Sequence, residues 1–140
     1  MKKLVEKVKT LIEVLEEENG PFLICALFLR VEPLERWDFV VAASWLNPHE
    51  MQSYKIVATK LQEAFTESEV VQFSRIVILS PDDPVVSYLQ GLETITNGGY
   101  RELRADDLSE KFKFTIKRAY LLRSQFLSLE QGLSRYFLKT

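Results

Sequence analysis

The apolar positions of this chain switch period several times, and each switch marks an element. Leu4, Val8, Leu11 and Leu15 recur at helical spacing, and Val5 and Ile12 widen the stripe. The run Asn19-Gly20-Pro21 supplies a stop, so the first helix ends there. Glu16, Glu17 and Glu18 fall at its C-terminus, where the helix dipole disfavours acids. Residues 22–31 are almost continuously apolar, the pattern of a strand covered on both faces and central in its sheet. A short loop containing Pro33 follows. Residues 37–46 then read as a second strand, paired with the first as a hairpin. One of its faces carries Trp37, Phe39, Val41, Ala43 and Trp45; the other carries Asp38, Val40, Ala42, Ser44 and Leu46.

Asn47-Pro48-His49-Glu50 has the form of a capping box with proline in the first helical position. Met51, Tyr54, Ala58, Leu61 and Phe65 make the stripe of the helix it predicts, and Thr66 with Glu69 marks a second start. Residues 75–79 are a short β-branched strand, broken by Pro81-Asp82-Asp83-Pro84. Asp83 or Ser80 is placed to cap a short helix from Pro84 to near Gly91. Asn97-Gly98-Gly99 is a turn, residues 100–104 a short edge strand, and Asp106-Asp107-Leu108-Ser109 another turn. Residues 111–122 predict a strand with Phe112, Phe114 and Ile116 on one side and Lys111, Lys113, Thr115 and Lys117 on a wet, basic side. Phe126, Leu129, Leu133, Tyr136 and Phe137 predict a closing amphipathic helix. The order α-β-β-α-β-α-β-β-α gives an α+β class. Its helices pack on a mixed, largely antiparallel sheet, as one layer pair or a three-layer sandwich.

Composition narrows the function more than the fold. The 140 residues are 46% hydrophobic with a net charge of −2, which fits one domain with its own core. The chain holds one Cys and one His, too few for a structural zinc site. The longest apolar stretch, 21–31, is too short to span a bilayer, and the N-terminus lacks the continuous apolar run of a signal peptide. A cytoplasmic protein without a membrane partner is expected. Charge is uneven: residues 1–100 sum to −6 and residues 101–140 to +4.

Three sets of residues could carry chemistry. Asp82 and Asp83 stand at a strand end and, with Asp38, could hold Mg²⁺ or Mn²⁺ beside a phosphoester, with Lys117 near the phosphate. The order helix, strand, strand, helix, strand resembles that of metal-dependent nucleases, but no acidic-x-Lys motif follows Asp38. Capping accounts for the Asp pair, and a salt bridge to Arg36 or Arg75 for Asp38. Lys111, Lys113, Lys117, Arg118 and Arg123 span thirteen residues without an acid and could lie on a phosphate backbone. The aromatic residues Phe112 and Phe114 point away from that basic face, which removes the stacking platform. His49 and Cys25 belong to no nucleophile motif, and no phosphate-binding glycine loop occurs.

The pattern Trp37-Asp38-Phe39-Val40-Val41, Ser44-Trp45-Leu46, Ser74-Arg75-Ile76-Val77-x-Leu79 with Asp83-Pro84, and Ile116-Lys117-x-Ala119-Tyr120 resembles a family of small uncharacterised prokaryotic proteins. The resemblance covers roughly residues 37–120. It implies a prokaryotic origin and no mechanism. The expectation is a non-enzymatic protein–protein interaction or scaffold module that needs no cofactor. Its partner is another protein, a second copy of the chain included. A metal-dependent phosphoester-acting enzyme and a nucleic-acid binder through residues 111–123 are the alternatives.

Overall fold

The computed structural model describes residues 2–31, 36–96, 98–112 and 115–126. The expected closing helix beyond Phe126, Lys113, Phe114 and the loop at Pro33 lie outside the described residues. Within them run α1 (Lys2–Asn19), β1 (Ile24–Arg30), β2 (Trp37–Ala42), α2 (Met51–Ala64), α3 (Glu67–Val70), β3 (Phe73–Ile78), α4 (Pro84–Leu92), β4 (Arg101–Leu103), α5 (Ala105–Phe112) and β5 (Ile116–Ser124).

The strands make one sheet in the order β3-β2-β1-β5-β4. β1 is central, as its unbroken apolar run predicts, and six of its seven residues are buried. β2 and β5 flank it antiparallel, and β4 is antiparallel to β5. β3 alone runs parallel to its neighbour β2, because α2 and α3 carry the chain back to the other end of the sheet before it begins. The class is α+β with a single mixed sheet.

Helices cover both faces, which makes three layers. Leu4, Val8, Leu11 and Leu15 of α1 and Val57 and Leu61 of α2 pack with Cys25, Leu27, Phe39 and Val41. On the other face Val86 and Leu89 of α4 and Leu108 of α5 pack with Ala26, Phe28, Val40 and Ala42. This alternation along β1 and β2 is what a strand buried on both sides must show.

The local signals decide the ends of several elements. Gly20 closes α1 at φ 127°, a conformation that L side chains rarely adopt, and its N–H returns to Glu16 C=O at 2.8 Å. Thr66 and Glu69 form the full capping box of α3. Lys7 reaches the same carboxylate at 2.7 Å and, with the Thr66 N–H, holds Glu69 down to about 2 from an ordinary 4.5. The charged carboxylate therefore stabilises the fold above its ordinary range. That contribution is lost as pH falls from about 4.5 toward 2. An NMR titration of the Glu69 carboxyl should show this midpoint, and a midpoint near 4.5 would mean the box is not formed in solution.

Four expectations need correction. The second strand stops at Ala42 instead of reaching residue 46, and Leu46 joins the α1–α2 side of the core. Asn47 does not cap a helix. Its side-chain oxygen accepts from His49 N–H at 2.9 Å in a tight turn, so the oxygen is spent before α2 begins at Met51. The helix then buries Ser53, Val57 and Leu61, and Met51 stays exposed. The Asp106-Asp107 segment is not a turn but the first turn of α5, where acids complement the dipole. Consequently Lys111 and Phe112 are helical, and β5 starts only at Ile116. Ser109 makes the junction: its hydroxyl donates to Ala105 C=O at 2.8 Å and accepts from Ile116 N–H at 2.9 Å.

Candidate functional site

Asp38 is the most buried carboxylate described, with 1% of its surface exposed. It is the second residue of β2, opposite Phe28 of β1 and beside Arg75 of β3. Arg30 Nε and Arg75 Nε approach the same oxygen, Oδ2, at 3.0 and 3.2 Å. Arg30 also donates to the Ser74 hydroxyl at 2.9 Å. The carboxylate therefore ties three strands together through two guanidiniums. Two cations on one oxygen oppose a third, divalent one. The Asp38–Arg75 pairing is one of the two expected structural pairings.

Asp82 and Asp83 lie elsewhere. They follow the C-terminal end of β3, whereas Asp38 sits level with Arg75 near its start. Three residue steps, from Arg75 to Ile78, put the end of β3 about 10 Å beyond that level, and Asp82 and Asp83 come after it. Asp83 accepts from Val85 N–H at 2.9 Å as the N-cap of α4, with Pro84 in the first helical position. Asp82 accepts from the Ser80 hydroxyl at 2.5 Å. No group of three potential metal ligands forms among the described residues. Asp83→Ala is expected to cost about 1 kcal/mol as a lost cap, and a denaturant midpoint unchanged within error would contradict the capping role.

The basic set does not form one face either. Lys111 is on α5, where its ammonium sits 4.4 Å above the Tyr88 ring. Lys117 and Arg118 are exposed neighbours on β5, beside an irregularity of its pairing with β1. Arg118 lies over the Tyr120 ring and 3.8 Å from Glu102. Arg123 is buried and donates to Glu16 at 2.7 Å. Lys113 is outside the described residues. Aromatic residues do share the Arg118 face: the exposed Tyr100 meets Tyr120 edge-on at 5.8 Å, and Lys9 stands 5.1 Å over it. Their cations are already engaged, Lys9 with Glu6 at 3.3 Å and Arg118 with Glu102.

Glu16 and Arg123 are a second polar centre that the motifs did not reveal. Glu16 accepts from Arg123, from Phe22 N–H at 2.9 Å and from Gln125 at 3.3 Å. It thus joins α1 to β1 and β5. Arg123 Nε and Nη1 are buried and donate to no partner. Cys25, paired with Arg123 across the strands, is wholly buried. Burial pushes its thiol well above the ordinary range, which disfavours the thiolate; Glu16 adds to this, against a smaller lowering by Arg123. His49 is exposed at the turn before α2.

Comparison with protein-family models, with curated proteins and with solved structures gave no match for this chain.

The remaining feature is the edge of the sheet formed by β3. On its outer side no strand is paired among the described residues. Leu79 N–H donates to Val41 C=O at 2.8 Å, which sets the parity of the parallel ladder. Arg75, Val77 and Leu79 turn their backbone groups toward β2, and Ile76 and Ile78 turn theirs outward. Ser74 C=O also points outward, because it shares a trans peptide with the inward N–H of Arg75. An irregularity at Phe73–Ser74 shortens the regular stretch to five residues. Beside this edge runs a groove of about 180 Å³ lined by Ala58, Leu61, Val70, Phe73 and Ile76, with Gln62, Ser74 and Arg75 at its margin. Phe65 and the exposed Val71 extend it past Val70.

No helix among the described residues is long and apolar enough to cross a membrane.

Proposed function

We propose that this protein is a non-enzymatic interaction module that binds an extended protein segment along the outer edge of β3. One observation carries the reading: the outward backbone groups of Ser74, Ile76 and Ile78 lie beside an apolar groove and have no protective device at the centre of the strand. Natural edges are blunted by lysine, proline, inward charges or a covering element. Residues 74–78 contain neither lysine nor proline, and the one charge, Arg75, reaches back to Asp38. The opposite edge, β4, is only three residues long. Strand addition supplies affinity through main-chain hydrogen bonds and specificity through the alternate side chains that enter a groove.

The metal-dependent enzyme reading has less support, since Asp38 is neutralised by two arginines and stands far from Asp82 and Asp83. Binding of nucleic acid through the basic set has less as well, since those cations are distributed over α5, the exposed start of β5 and the core.

Panning random heptapeptides on the protein tests the reading. Ile76→Pro is the control: it removes an outward N–H and leaves the β2 ladder intact. Binders rich in β-branched residues, lost on Ile76→Pro and kept on Ile76→Val, are expected. Binders that tolerate Ile76→Pro would place recognition elsewhere.

A further inference from the structure

We draw no further inference here: the strongest candidate, the apolar groove beside the outer edge of β3 lined by Leu61, Val70, Phe73 and Ile76, carries nothing beyond the docking reading because nothing in the structure shows what covers it.

Discussion

Replacing Glu16 by alanine should destabilise the protein by about 3–5 kcal/mol, the range for removing one partner of a buried ion pair. Arg123 has a 6% exposed side chain, and Glu16 takes the only hydrogen bond described from its guanidinium. Without that carboxylate the cation is left in the core with no acceptor. Phe22 N–H and Gln125 also lose an acceptor, at the point where α1 gives way to β1. Such a loss is a large fraction of a typical domain stability of about 5–15 kcal/mol. The double variant Glu16→Leu with Arg123→Met removes both charges at similar volume. It should be more stable than Glu16→Ala alone, since an apolar replacement of a whole buried pair is often neutral. Urea unfolding of the two variants checks this. A double variant less stable than the single one would show that the pair is favourable in itself.

Phe28→Ala is the second large effect, about 3–5 kcal/mol for a cavity at the centre of the sheet. Phe28 is fully buried on the central strand and meets the Phe112 ring edge-on at 5.0 Å. It lies between Asp38 of β2 and Ala119 of β5, with α4 and α5 above. None of these neighbours can refill an aromatic volume without moving a strand. The melting temperature should fall by roughly 10–15 °C for a chain of this size. Phe28→Leu keeps most of the volume and should cost under about 1.5 kcal/mol. Calorimetry of both variants separates the cavity from a general intolerance of the position. Equal losses for both would contradict the packing described.

The elements that were legible in the sequence are those decided by local chemistry. The continuous apolar run of β1 required cover on both faces, and the cores above and below it supply that cover. Asp83-Pro84 and Thr66-x-x-Glu69 cap their helices because a side-chain oxygen there has a free N–H within reach. Asn47 carried the same signal and failed, since a turn to His49 competed for its one acceptor. The α5 helix was missed because the alternation of Phe112, Phe114 and Ile116 mimics a strand. Leu108 and Phe112, four residues apart, were the helical signal.

The polar centres were less legible, because their partners are far apart in the chain. Glu16 and Arg123 are 107 residues distant. A signal did exist on one side: an acid at a helix C-terminus opposes the dipole and needs a cation to offset it. Arg123, next to Leu121 and Leu122 at the end of a strand, is that cation. The β3 edge could not be read at all, since strand order depends on pairing between distant segments.

The most direct test of the β3 account is amide hydrogen exchange read residue by residue by NMR. Ile76 and Ile78 are compared with Val77 and Leu79 in the free protein and with a panned peptide bound. The inward amides of Val77 and Leu79 should be protected throughout. The outward amides of Ile76 and Ile78 should exchange freely in the free protein and become protected when the peptide is bound. Outward amides that exchange freely with every bound peptide would contradict the account.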